Sequence, residues 1–354
     1  MAEFLGLGLS HYPPLSMKDE DMAGLLRNVI LADPSIPDRE RDPANWPELM
    51  RLEWGDDEGR NAAAGHRAAL VDGFERCRAA LDEFQPDVVI IWGDDQYENF
   101  REDLVPPYTV LAYPDLELQP WAQAQESSAM RGRPNYWDEP EDFTVTLKGS
   151  REVGKKLASG LLERGIDVSY AYSPLHHDGL SHAFLNAVLY LDYHRKGFPY
   201  PVLAFPINTY GRKVISYRGF FSHLDDIREL DPPSPQPYRL MDLGAATVDA
   251  LAETDLRVAL VASSSWSHAF LTDHTFRLRP DTPADRRLYD YLVAGEYGPW
   301  RELTTPQIEE AGQQELLAWL PVLGAMDHLG RSLSWSTFTE SDVFNSNKVF
   351  AIFD

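Results

Sequence analysis

The sequence predicts an α/β fold: a mainly parallel or mixed central sheet with helices on both faces, in a single domain. Short apolar runs, each about the length of one buried strand and bounded by turn or polar residues, alternate with longer helical patterns. Such alternation favours a sheet covered on both sides. No repeat, low-complexity tract or Pro/Gly-rich linker divides the 354 residues, so one domain is expected over 1–354.

The elements follow in order. Residues 4–9 form the first strand and 62–84 the first helix, with a second strand at 88–92. A helix over 150–164, a strand over 166–172, a helix over 182–195 and a strand over 202–207 come next. A helix over 240–252 precedes the strand 258–262, and 285–294 is again helical. One long helix is expected over 305–326, opened by Thr305-Pro306, a good cap followed by a good first helical residue. Strands at 334–338 and 348–353 close the chain. Two stretches interrupt the pattern: 33–59, rich in Pro, Asp, Glu and Trp, and 106–142, rich in Pro, Trp, Tyr and Gln. Both are too long for ordinary connections, so they either cover a site or decorate the periphery.

Composition narrows the partners. The chain has 32 Lys+Arg against 56 Asp+Glu, a formal net charge of −24. Duplex nucleic acid and anionic membranes reward clustered cations and are excluded as partners. The single cysteine, Cys77, excludes an intramolecular disulfide and a thiolate metal cage. No apolar run reaches the roughly 18 residues of a membrane-spanning helix, and residues 1–14 lack the basic start and apolar core of a signal peptide. A soluble, cytoplasmic protein is expected; a homo-oligomer is compatible with this reading.

Ligands of open α/β sheets bind beyond the C-terminal ends of the strands. That edge is heavily loaded here. His11 follows the first strand, and Gly93-Asp94-Asp95-Gln96 follows the second. His176, His177 and Asp178 follow 166–172, Asn208 follows 202–207, and Ser267-His268 follows 258–262. A lone loop histidine is usually a solvated or capping residue, but a neutral scaffold has no reason for five such placements. Imidazoles with carboxylates suit a divalent transition metal: Fe(II), Mn(II) or Zn(II). Phosphate-binding glycine loops and a Gly-x-Ser-x-Gly elbow are absent from the sequence, so nucleotide binding and that type of serine hydrolysis have no support.

Five segments, in order, resemble the class III (LigB-like) extradiol ring-cleavage dioxygenases. They are Ser10-His11-Tyr12-Pro13; Pro86–Ile90 with Asp95-Gln96-Tyr97-Glu98-Asn99-Phe100 and Pro106-Pro107-Tyr108; Phe205-Pro206-Ile207-Asn208; Ser267-His268; and Glu315-Leu316-Leu317-Ala318-Trp319-Leu320. The resemblance implies that His11 and Glu315 bind iron, that His268 is the catalytic histidine, and that the substrates are a catecholic ring and O₂. It breaks at one place: the family has Asp-His where this chain has Asp95-Gln96. An amide oxygen is a poorer ligand for Fe(II) than an imidazole. Gln96 itself, Asp94, Asp95, or His66 early in the first helix would then complete the metal site. The family's substrate-contacting Asp-His-Gly is matched by His176-His177-Asp178-Gly179 in swapped order; His177 is the best counterpart, with His182 next. Tyr12, Tyr97 and Trp266, beside the expected ligands, either wall a ring pocket or pack the core, and Asn208 is expected near the substrate. Arg212 and Lys213 either meet a substrate carboxylate or belong to a solvated loop. The alternative functions are a metal-dependent hydrolase or lyase on the same fold, or a non-catalytic homologue.

Overall fold

A run that is apolar at every position can be buried on both faces only in the middle of a covered sheet. The computed structural model describes residues 1–127, 130–176, 178–214 and 230–354. Its strands are β1 (Glu3–Leu9), β2 (Val88–Asp94), β3 (Thr109–Leu111), β4 (Leu116–Leu118), β5 (Val145–Leu147), β6 (Ser169–Ala171), β7 (Val202–Ile207), β8 (Arg257–Ser263), β9 (Leu333–Thr339) and β10 (Lys348–Phe353). Eight of them form one sheet in the order β6-β3-β7-β2-β8-β1-β10-β9, while β4 and β5 pair separately. The four central strands, β7, β2, β8 and β1, are parallel. On one side β3 joins β7 antiparallel and carries β6 parallel to itself. On the other, β10 and β9 add antiparallel pairings. The sheet is mixed with a parallel centre.

Successive side chains leave a strand on opposite faces, and the two cores divide accordingly. Leu5, Leu7, Leu9, Val89 and Ile91 pack with Leu70, Phe74 and Cys77 of helix Arg60–Phe84 and with Phe184 and Val188 of helix His182–Leu191. Phe4, Val88, Ile90 and Trp92 face helices Arg151–Glu163, Pro237–Leu251 and Leu320–Leu329 on the other side. Gly8 lies on that second face, where an added Cβ would overlap the Trp319 indole. The missing side chain lets this ring approach the strand backbone closely.

Three expectations need correction. The strand over 166–172 is only β6, three residues at the sheet edge, half-buried and running against the four central strands. Its C-terminal end therefore points away from the edge carrying His11. The chain regains that edge at Ser181, which donates its N–H to Asn99 Oδ1 (2.8 Å) and its hydroxyl to Asp94 O (3.0 Å). The helix expected over 182–195 ends at Leu191. The long helix over 305–326 is broken into helix Thr305–Glu310, a 3₁₀ turn Gln314–Ala318 and helix Leu320–Leu329. Gly312 interrupts it in the left-handed region (φ +66°), and Pro321, which has no N–H to give, sits in the first turn of the last piece. The cap is Thr304, whose N–H donates to Gln307 Oε1 at 3.0 Å.

Of the two interrupting stretches, 106–142 supplies β3 to the main sheet. The other, 33–59, forms short helices, and its Glu53 accepts the N–H groups of Asp342 and Val343 at 2.8 and 2.9 Å. Among the described residues, no helix is long and apolar enough to cross a membrane.

Candidate metal centre

β1 and β2 flank β8, so the residues leaving their C-terminal ends meet over it. Ser10 pins the exit from β1 by donating to Ser264 O and Val349 O at 3.1 and 3.2 Å. His11, next along and fully buried, has Nδ1 3.0 Å from Ser263 O at the end of β8. A carbonyl can only accept, so Nδ1 carries the proton and Nε2 keeps its lone pair. Asp94 ends β2 with Oδ1 3.7 Å from that Nε2. His182 opens its helix, donating its backbone N–H to Glu98 Oε1 (3.0 Å) and holding Nδ1 2.8 Å from Glu98 Oε2. Its Nε2 also turns to Asp94, 3.9 Å from Oδ2. The ligand atoms of His11, Asp94 and His182 lie within 4.8 Å of one another.

Asp94 is completely buried, and neither of its oxygens accepts a hydrogen bond. A buried carboxylate without donors is unstable unless a cation compensates it. Two imidazoles, each with Nδ1 tied to an acceptor and Nε2 turned toward that carboxylate, are the usual partners of such a cation. The donor set fits a divalent transition metal.

A second carboxylate stands beside the first. Glu315, in the 3₁₀ turn Gln314–Ala318, places Oε2 3.2 Å from His268 Nε2. His268 Nδ1 is 2.7 Å from Trp266 O, which fixes the same tautomer as in His11. Tyr210 donates its hydroxyl to Glu315 Oε1, and Gln96 Nε2 reaches both that hydroxyl and, at 3.3 Å, Oε1.

Electrostatics separate these groups. Burial, then the charge of Glu315, pushes the Asp94 carboxyl well above the usual carboxylate range. Burial and the nearby His182 bring His11 down to about 4. Burial would also lower His182, but the charge and hydrogen bond of Glu98, then the charges of Asp94 and Glu315, outweigh it and push the imidazole up to about 10. Glu315 is driven down to about 2: its burial is overcome by His268, His11 and the Tyr210 hydroxyl.

Residues 230–351 match the family model of the catalytic LigB subunit of aromatic ring-opening dioxygenase. No curated protein matches the chain. The LigB match takes in β8, His268, Glu315, β9 and the first four residues of β10. His11, Asp94, Gln96 and His182 lie outside it, and their place in the site rests on the geometry above.

The other expected residues fall in several places. His66 does not join the cluster: its ring stacks on Phe344 (4.6 Å) and meets Tyr12 edge-on (5.7 Å), with Nε2 buried and unpartnered. Burial, then the charge of Lys348, lowers its basicity strongly. It is a neutral core histidine, because its helix face is closed by residues arriving from the far end of the chain. Trp266 is core as well, fully buried among Trp319, Trp300, Phe338 and Tyr289. Tyr12 is covered by Lys348, whose Nζ lies 3.9 Å over the ring. Neither offers a free face to a substrate.

Tyr97 is half-buried, with φ +64°. Asn208 lines a small cavity with Asp95, Phe100, Val105, Pro106 and Ile207, and its Oδ1 accepts from Gly211 N at 3.0 Å. Asp95 accepts the N–H groups of Asn99 and Phe100 and feels the charge of His182. His176 pairs with Asp103 at 2.9 Å, and Arg212 with Glu309. His177 and the side chain of Lys213 lie outside the described residues.

Glu98 and Tyr210 went unnoticed in the sequence. Glu98 stands within a quoted motif, yet only the fold brings it to His182. Outer partners of metal-bound histidines typically carry 10–100-fold in affinity. Glu98→Gln is accordingly expected to weaken metal binding by roughly 10–100-fold, measured by competition with a metallochromic chelator. An unchanged affinity would assign Glu98 to packing alone.

Proposed function

We propose that this chain is a non-haem Fe(II)-dependent extradiol dioxygenase that cleaves a catechol-type aromatic ring with O₂. One observation carries the reading. Three imidazoles have Nδ1 within hydrogen-bond reach of an acceptor and Nε2 aimed at one of two buried carboxylates, Asp94 and Glu315. In this reading His11, His182 and Asp94 hold the ion, so His182 supplies the imidazole that the Gln96 position lacks. Glu315 closes the side toward His268. The ion, when bound, supplies a template and Lewis acid for the catechol oxygens and O₂.

The chain's own groups do the rest. His268 Nε2 takes a substrate hydroxyl proton and later returns it, a task that suits an imidazole near neutral pH. Tyr210 and Gln96 occupy Glu315 Oε1, so Oε2 is the oxygen left for the ion or for His268. The cavity beside Asp95 and Asn208 is the proposed approach for the ring.

The deciding experiment is oxygen uptake after anaerobic reconstitution with Fe(II), across a panel of substituted catechols. One O₂ consumed per ring opened is the expected result, with Mn(II) and Zn(II) as comparison metals. A protein that binds metal but consumes no O₂ with any catechol would point instead to hydrolase or lyase chemistry. A protein that binds no metal would be a non-catalytic homologue.

A further inference from the structure

His268 and Glu315 must meet, yet neither is held by the sheet: one follows the end of β8, the other sits in a 3₁₀ turn. Behind both lies Asp285, completely buried in the first turn of helix Thr282–Ala294. Its two oxygens take the backbone N–H of Ser267 at 3.2 and 3.0 Å. Oδ1 also accepts from Gln313 Nε2 at 2.6 Å, two residues before Glu315. Oδ2 accepts from Asn347 Nδ2 at 2.8 Å, and the backbone carbonyl of Asn347 in turn receives Trp266 N–H at 3.0 Å. Between these ties His268 N–H donates to Gly312 O at 2.8 Å.

We propose that Asp285 is a positioning residue that sets His268 and Glu315 against each other by bonding the segments that carry them. The proposal takes that pair from the function given above, but the histidine signals in its test are read on the metal-free protein and so stand apart from ring cleavage. Each contact on Asp285 is donated to it, so only a pure acceptor satisfies all of them. Burial pushes the carboxyl up to about 7, and the bonds from Gln313, Asn347 and Ser267 work in the opposite direction, for the ionised form. An asparagine there would turn an NH₂ against at least one donor, a conflict that costs more than a missing bond.

The network permits an exchange of acid and amide. In Asp285→Asn with Gln313→Glu, the new NH₂ at the Oδ1 position meets a carboxylate. The new amide oxygen, at the Oδ2 position, keeps Asn347 and the nearer Ser267 contact. Total charge is unchanged.

The experiment follows the imidazole resonances of the full chain, isotope-labelled at histidine and free of metal, together with turnover of the reconstituted protein. Asp285→Asn should shift the His268 signals and mix its Nδ1–H and Nε2–H tautomers, leaving the exposed His194 untouched. Turnover should fall about 100-fold, the scale of a 1 Å misplacement. The double variant should restore both signals and turnover. Wild-type His268 signals in folded Asp285→Asn would overturn the proposal, as would a double variant that regains thermal stability without regaining them. Should Asp285→Asn fail to fold, Gln313→Ala severs only the tie to the Glu315 segment. It must then move the His268 signals in the same way, and unchanged signals there would also overturn the proposal.

Discussion

His182→Ala is expected to leave the chain without bound metal. The imidazole offers one of the three candidate ligand atoms that lie within 4.8 Å of one another. Loss of a direct ligand should exceed the roughly 10–100-fold penalty of losing an outer partner, so metal per chain after desalting should drop to background. His66→Ala supplies the contrast. That ring is packed on Phe344 and Tyr12, apart from the cluster, so its removal should disturb packing but retain full metal stoichiometry. Elemental analysis of both variants, with circular dichroism to confirm folding, separates them. Metal kept in His182→Ala and lost in His66→Ala would reverse the assignment.

That reversal is the reading the sequence favours: it makes His66 a candidate metal ligand and His182 a candidate for substrate contact. His66 sits in the first turns of a helix that begins at the right edge of the sheet, and its spacing places it correctly along the helix. What spacing does not give is the partner of its helix face, because Phe344 arrives from the far end of the chain. His182 was obscured by a different effect. The short segment before it is an edge strand running opposite to the centre, so counting from its C-terminal end leads away from the site. His11 and Asp94 were legible because they leave parallel central strands within two residues, where the backbone itself determines their location. The break at Gly312 was not: a glycine costs a helix only about 1 kcal/mol relative to alanine, which tertiary bonds to His268 override. Glu315 was found through resemblance, and Asp285 could not be found at all. Its role depends on three segments that meet only in the folded chain.

His268→Gln should abolish most turnover while leaving the metal in place. A positioned general acid/base contributes about 10²–10⁴-fold, and this is the expected loss in kcat. Glutamine keeps an amide near the same volume and can still face Glu315, but it cannot exchange a proton near neutral pH. Nδ1 of His268 is held by Trp266 O and its Nε2 is 3.2 Å from Glu315 Oε2, so the imidazole approaches the cluster from the carboxylate side. His268 is not among the three residues, His11, Asp94 and His182, whose ligand atoms cluster. Fe(II) content should therefore stay near wild type, and catechol should still bind, so the effect belongs in kcat rather than KM. Loss of metal in His268→Gln would instead put His268 in the coordination sphere, with Glu315 as its neighbouring ligand. Unchanged turnover would mean that the proton passes through another group, and Tyr210, hydrogen-bonded to the same carboxylate, would be the next to replace.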